Sequence, residues 1–201
     1  MGGDYDVRAF RSLTARAAVL DRPDIDTDQI VPKQFLKRIE RTGYGEFLFH
    51  DWRQDPDFEL NRPGCDGARI LLTGPNFGCG SSREHAAWAL QDYGFEVVVA
   101  PSFGDIFFSN AVQIGLVPVT LPAREVKELM RSVADSGELT VDLELETIVD
   151  PSGRAVQFEM DSFVRTSLLE GLDAIGRSLQ HEAEITAFES RNPSPIETTA
   201  G

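Results

Sequence analysis

The rhythm of apolar and polar positions changes twice along this chain, and its middle third is the most regular part. ARILLTG (68–74) is a short apolar run that reads as a strand. Ala86, Ala89, Leu90 and Tyr93 then recur at helical spacing within 82–93, and Gly94 stands where that helix should stop. EVVVA (96–100) reads as a buried strand. GDIFFSNAVQI (104–114) reads as a helix, with Phe107, Ala111 and Ile114 on one face and Gly115 as its stop. LVPVTL (116–121) is a further strand. Val126, Leu129, Met130 and Val133 fall at i, i+3, i+4 and i+7, which predicts an amphipathic helix over 122–135. Strand–helix–strand–helix–strand order implies parallel pairing through right-handed crossovers.

Beyond residue 138 alternation replaces the helical period. Leu139, Val141, Leu143 and Leu145 alternate with polar residues, DPSG (150–153) is a turn with Pro at its second place, and Val156, Phe158 and Met160 alternate again. This predicts a β-hairpin, a second and antiparallel element beside the parallel strands. Before residue 68 the pattern is less clear. Residues 7–20 read as one or two strands, DRPDIDTD as a loop, and QIVPKQFLKRI as short and mixed. The stretch 42–67 is rich in Gly, Pro, Asp and Asn and reads as a long irregular excursion, a feature often tied to function. Residues 162–188 read as two short helices interrupted by Gly171 and Gly176, and SRNPSPIETTAG (190–201) as a disordered tail. The expected class is α/β, in a single domain over residues 1–189.

The chain has 201 residues and a formal net charge of −14. That charge disfavours non-specific binding of nucleic acid, yet it allows an anionic ligand where a site is locally positive. No run of eighteen apolar residues is present, and MGGDYDVRAF has no basic region followed by an apolar stretch. Asp6 occupies the place where a myristoylation motif wants Ser or Thr. A cytoplasmic protein without a membrane span is expected. Two cysteines, Cys65 and Cys79, are too few for a disulfide framework or a thiolate-held iron–sulfur cluster. His50, His85 and His181 lack metal-ligand spacing, so no metal is expected on this chain. Asp24, Asp26 and Asp28 superficially resemble a calcium loop. Its sixth and twelfth places hold Gln29 and Phe35, however, where Gly and Glu are required.

The stretch with most chemistry is GPNFGCGSSREHAAWAL (74–90). Ser81 to Glu84 fits the capping box S-x-x-E, and Gly78 and Gly80 supply freedom for a tight turn. The same geometry also serves an anion. A glycine turn entering a helix presents backbone N–H groups and a positive dipole end, Arg83 adds a bidentate donor, and a serine alkoxide there is stabilised. The phosphate-loop, dinucleotide and G-x-S-x-G patterns are all absent, which favours a carboxylate over a nucleotide.

NFGCGSSREHAAWAL (76–90) closely resembles the signature of the mobile C-terminal domain of the aconitase superfamily. More narrowly, it is similar to the small subunits of 3-isopropylmalate dehydratases. DTDQIVPKQFL (26–36), RTGYGEFLFHDWR (41–53), APSFGDIFFSNAVQIGLVPV (100–119) and LLEGLDAIGRSLQHEAEITAFE (168–189) agree in order, so the likeness covers nearly the whole chain. It implies a swivelling β/β/α domain, and a two-chain enzyme assembled as a heterodimer or heterotetramer. A large subunit would carry a 4Fe–4S cluster. The reaction implied is conversion of 2-isopropylmalate to 3-isopropylmalate through isopropylmaleate, in leucine biosynthesis.

Carried onto this sequence, the resemblance makes Ser81 the base, as alkoxide. Ser82 and Arg83, with backbone N–H groups near Gly80, would bind a substrate carboxylate. Asp26 and Asp28 would orient active-site groups or cap a helix. Lys37, Arg38 and Arg41 follow the family's Phe-Leu pair, and one of them would touch the distal carboxylate unless they form only a solvated cluster. His85 would support by hydrogen bonding, and Cys79 would be a small turn residue. Trp88, Phe103, Phe107 and Phe108 would be core or interface residues, while Ser109 and Asn110 are further cleft-lining options. Without a large subunit, 42–67 is expected to lack order. Two other readings stay open: a relative acting on homoaconitate, citramalate/citraconate or dimethylmalate, and a non-catalytic interaction domain. The RNA-binding role of some aconitase relatives is disfavoured by the acidic charge.

Overall fold

A computed structural model describes residues 7–36, 42–133 and 137–172, with the isolated positions 188 and 191. Strand β1 (Ser12–Leu20) leads to a one-turn helix α1 (Thr27–Ile30). Four further elements come in strict alternation after residue 69: β2 (Ile70–Thr73), α2 (Glu84–Tyr93), β3 (Val97–Ala100) and α3 (Asp105–Ile114). Then come β4 (Val117–Thr120), α4 (Ala123–Ser132), β5 (Glu138–Asp142), β6 (Thr147–Val149), β7 (Ala155–Gln157) and α5 (Ser162–Glu170). Gly94 and Gly115 end α2 and α3 in the left-handed region, with φ of 117° and 82°, as their places in the sequence predicted.

The strands form one sheet in the order β4-β3-β2-β1-β5-β6-β7. β1 is its hinge line. It pairs parallel to β2 on one edge, with Ala17 opposite Ile70, and antiparallel to β5 on the other, with Thr14 opposite Thr140. The antiparallel part is therefore not the separate hairpin expected. It is a three-stranded meander, β5-β6-β7, continuous with the parallel strands through β1. Strand β6 runs Thr-Ile-Val, a stretch with no alternation to reveal it.

Period-two alternation buries both faces of the sheet. Ala15, Ala17, Ile70, Leu72, Val97 and Val99 face one apolar layer, which α4 closes with Val126, Leu129 and Met130. Ala18, Leu20, Leu71, Val98 and Ala100 face the other, closed by α2 and by residues of 42–67. That segment is not the loose excursion expected. It is a string of short 3-10 turns that buries Tyr44, Leu48, Phe49, Phe58 and Leu60 completely or almost so. Each such side chain contributes roughly 1.5–3 kcal/mol of transfer free energy, which orders the segment within this chain. Arg22 locks it to the end of β1. Its guanidinium lies 4.6 Å from the Trp52 ring and donates to both oxygens of Glu59 at 3.0 and 2.8 Å. Burial pushes the Glu59 carboxyl up, but the Arg22 bonds outweigh it and hold the group below its ordinary range. The tail beyond 191, and most of 173–190, lie outside the described residues.

Candidate functional site

The loop after β2 is clamped from both sides. On one side, Asp24 N donates to Pro75 O at 2.9 Å, Gly78 N to Ile25 O at 2.8 Å, and Thr27 N to Cys79 O at 2.9 Å. On the other, Phe77 N donates to Ser102 O at 3.1 Å and Gly104 N to Phe77 O at 2.9 Å. The loop thus sits beyond the C-terminal ends of β1, β2 and β3, where open parallel sheets place their ligands. Gly78 is required here. Its φ is +72°, and a Cβ on it would lie 2.2 Å from Cγ of Phe107.

The capping box expected at Ser81–Glu84 does not form. Arg83 is the residue that caps α2, with extended backbone (φ −133°, ψ 112°) and no side-chain cap hydrogen bond, so the helix begins only at Glu84. The chain bends at Gly80 and Ser81 and becomes extended at Arg83, while the clamps on either side of the loop hold it off the helix start. Ser81 and Ser82 are consequently exposed rather than turned back onto the helix. A capping box does occur, at the other motif. Asp26 accepts from Gln29 N at 2.7 Å, while Gln29 Oε1 accepts from Asp26 N at 2.8 Å.

Asp28, in the single turn of α1, accepts from Arg83 Nη1. The Arg83 side chain is 14% exposed and that of Asp28 is 37% exposed, so the pair is partly shielded. Asp28 also has Lys33 Nζ at 3.5 Å from its second oxygen. Of the two aspartates, Asp26 caps α1 and Asp28 pairs with Arg83. The structure brings together Gly80, Ser81, Ser82, Arg83, Asp26 and Asp28. Lys37, Arg38 and Arg41 lie outside the described residues.

His85 differs from the expectation. Its described contacts are with rings, to Tyr44 at 5.1 Å and Trp88 at 4.7 Å. Burial lowers its pKa, with Arg83 adding to the effect and Glu84 opposing it, so the imidazole is neutral near pH 7. The chain of rings continues from Tyr44 through Phe47 to Phe35, which stacks on Phe47 at 4.1 Å. Burial also raises the Cys79 thiol, and the negative charges of Asp26 and Asp24 raise it further. A protonated thiol suits a small turn residue rather than a nucleophile. Phe107 and Trp88 are core, and Phe103 and Phe108 pack against it. Asn110 is buried and Ser109 exposed.

Sequence reasoning missed two residues here. Lys33 reaches Asp28, and Thr27 donates from Oγ1 to Ser81 O at 3.1 Å. The Thr27 contact spans 54 positions, which no local pattern encodes, whereas Lys33 lies only five residues past Asp28 and falls in a segment that reads as short and mixed. Among the described residues, no group of three or more His, Cys, Asp or Glu side chains could hold a metal ion, so these residues do not fit an iron–sulfur cluster. Among the same residues no helix is long and apolar enough to cross a membrane.

The sheet and its serine-arginine loop belong to a chain whose sequence matches a known class, the aconitase C-terminal domain. Residues 8–124 match the family model of that name, and residues 127–162 match the LeuD_N model. The 3-isopropylmalate dehydratase small subunit of Parafrankia sp. is 54% identical over 196 residues, covering 96% of this chain and all of that protein. The small subunit of Rhodopirellula baltica is 56% identical over 182 residues, covering 86% of this chain and 92% of that one. A crystal structure of 3-isopropylmalate dehydratase (leuD) from Methanocaldococcus jannaschii superposes with a TM-score of 0.66. It is 25% identical and covers 88% of this chain and 99% of its own. This chain belongs to the aconitase C-terminal domain family, in the branch of the 3-isopropylmalate dehydratase small subunits.

Proposed function

We propose that the chain is the small subunit of a cytoplasmic two-chain hydro-lyase that converts 2-isopropylmalate to 3-isopropylmalate through isopropylmaleate, in leucine biosynthesis. The observation that carries this reading is the exposed Ser81–Ser82 pair, standing free of any cap and directly before Arg83. A helix start that served only stability would use the serine as its cap. Here the serine is kept out in the open, next to a cation and to the positive end of α2.

Dehydration of a hydroxy-diacid removes a proton from one carbon and hydroxide from its neighbour. Ser81 Oγ, as alkoxide, takes that proton. A serine hydroxyl is a weak base unless its anion is stabilised, and Arg83 and the α2 terminus supply the positive potential. Ser82, Arg83 and the N–H groups near Gly80 hold a substrate carboxylate, which fixes the carbon relative to Ser81. Rehydration adds the elements of one water in the opposite sense, the proton to the carbon that lost hydroxide and hydroxide to the carbon that lost the proton. Departure of the hydroxyl calls for a Lewis acid, which a 4Fe–4S cluster held by a large subunit would supply. This chain would contribute the base and the carboxylate clamp. Lys37, Arg38 or Arg41, which follow Phe35-Leu36 in sequence, would take the distal carboxylate.

The test is anaerobic. The chain is combined with a cluster-bearing large subunit, given 2-isopropylmalate, and followed by the ultraviolet absorbance of the unsaturated intermediate, beside Ser81→Ala. Turnover that needs both chains and is lost in Ser81→Ala is the expected result. Turnover only with citraconate or homoaconitate keeps the mechanism and moves the substrate. Activity that survives Ser81→Ala removes the assigned base.

A further inference from the structure

We infer that Thr27 is a positioning residue for Ser81, acting through a hydrogen bond from its hydroxyl to the Ser81 carbonyl. The inference rests on the reading of Ser81 as the base. Residues 25–27 run alongside the glycine loop and are joined to it at successive points. Gly78 N donates to Ile25 O at 2.8 Å and Thr27 N to Cys79 O at 2.9 Å. Asp26 and Cys79 form an isolated parallel bridge. These are backbone bonds, and any residue at position 27 other than proline could make its share of them. The next bond along is different in kind. Thr27 Oγ1 donates to Ser81 O at 3.1 Å, so it depends on the side chain.

The hydroxyl is not there by default. Thr27 opens α1 directly after its cap, Asp26, and is 2% exposed. A threonine in a helix commonly turns its hydroxyl back to its own backbone. Here the bond instead spans 54 positions of sequence. Asp26 and Gln29 cap each other at the same helix start, so the platform under Thr27 is rigid. Its neighbour Asp28 holds Arg83. Ser81 therefore lies between two tethers from adjacent residues of one short helix. Its carbonyl is fixed from position 27, and the chain two residues on is fixed from position 28. The Thr27 bonds to the carbonyls of Cys79 and Ser81 restrict the backbone torsions on either side of the Ser81 Cα, and so narrow the directions its Cα–Cβ bond can take and the positions open to Oγ. A base displaced by about 1 Å from its proton loses roughly 100-fold in rate.

Thr27→Val removes the donor while keeping shape and the backbone bond to Cys79. Thr27→Ser keeps the donor. In the assembled enzyme with 2-isopropylmalate, we expect Thr27→Val to lower kcat about 10- to 100-fold with KM changed less than threefold. Thr27→Ser should keep at least half of the wild-type kcat. Should the valine variant fail to assemble, Thr27→Cys removes the strong donor at similar volume. Because the residue acts through Ser81, Thr27→Val placed in a Ser81→Ala background should cost nothing more. Three results overturn the inference while sparing the assignment of Ser81: wild-type kcat in Thr27→Val, a serine variant as impaired as the valine one, or a further loss in the double variant as large as in the single. Activity retained in Ser81→Ala alone overturns the functional reading itself.

Discussion

Arg83 donates from Nη1 to Oδ1 of Asp28, tying the glycine loop to α1 across 55 positions of sequence. The pair is partly shielded, so its interaction lies between the limits of bulk water and dry interior. Replacing Asp28 by Asn keeps a hydrogen-bond acceptor and removes the charge that holds the guanidinium in place. We expect Asp28→Asn to lower kcat/KM about tenfold, or about 1.4 kcal/mol of transition-state stabilisation. Lys33 is 72% exposed and 3.5 Å from the same carboxylate. Lys33→Ala should therefore change kcat/KM by less than about threefold. Steady-state kinetics of the assembled enzyme distinguish the two, and equal losses would contradict this ranking.

Arg83→Lys keeps the charge and loses the planar fork. A lysine ammonium cannot hold a substrate carboxylate in bidentate fashion and Asp28 as well. The expected loss in kcat/KM is about 100-fold, borne partly by KM because carboxylate binding is affected. A lysine variant within about threefold of wild type would mean that Arg83 supplies only charge.

The two loop glycines should respond differently to the same substitution. At Gly78, an added Cβ meets Phe107, which is buried against Phe77 at 5.1 Å between ring centres and cannot give way cheaply. Gly78→Ala should destabilise the fold by roughly 3 kcal/mol. At Gly80, with φ of +96°, the nearest atom to an added Cβ is Asp26 Cβ at 3.4 Å, an ordinary contact. Only the backbone cost remains, about 1–2 kcal/mol. Urea unfolding of the two alanine variants measures the difference directly.

Much of this was legible from local pattern, and the misses have a common cause. The α2 and α3 stops at Gly94 and Gly115, the helical face of Val126, Leu129 and Met130, and the loop carrying Ser81 all follow from short-range rules. What could not be read depends on which distant segments meet. Ser81 and Glu84 satisfy a capping box in sequence, but the loop's hydrogen bonds with Ile25, Thr27 and Ser102 hold it away from the helix start, and that tertiary restraint overrides the local preference. The place of β1 at the joint between parallel and antiparallel strands is likewise a matter of pairing, which alternation does not encode. Tyr44, Phe49 and Phe58 sit among Gly, Pro and Asp with no period, so composition hid a segment of core.

Thr73 offers a test of packing away from the loop. It is fully buried at the end of β2, and its hydroxyl has no hydrogen-bond partner among the described residues. An unpaired buried hydroxyl costs about 1–3 kcal/mol of desolvation, whereas a methyl of the same shape costs nothing there. Thr73→Val should be neutral or stabilising by up to about 1 kcal/mol in urea unfolding. A loss of more than about 1 kcal/mol would show that the hydroxyl has a partner after all.

His85 makes stability depend on pH in a definite direction. Burial among Tyr44 and Trp88 lowers its pKa below the ordinary 6.5, so the folded chain resists protonation that the unfolded chain accepts. Above about 6.5 both states are neutral there and the contribution is intact. As pH falls below that value the unfolded state gains a proton first, and stability drops until the folded value is passed. His85→Phe keeps a ring for Tyr44 and Trp88 and removes the titration. Between pH 7.5 and 5.5 the wild type should therefore lose more stability in urea unfolding than His85→Phe does, all other groups being common to both. Parallel pH profiles would show that the imidazole is as readily protonated in the fold as outside it. A steeper loss in the phenylalanine variant would reverse the sign and imply that the fold favours the charged ring.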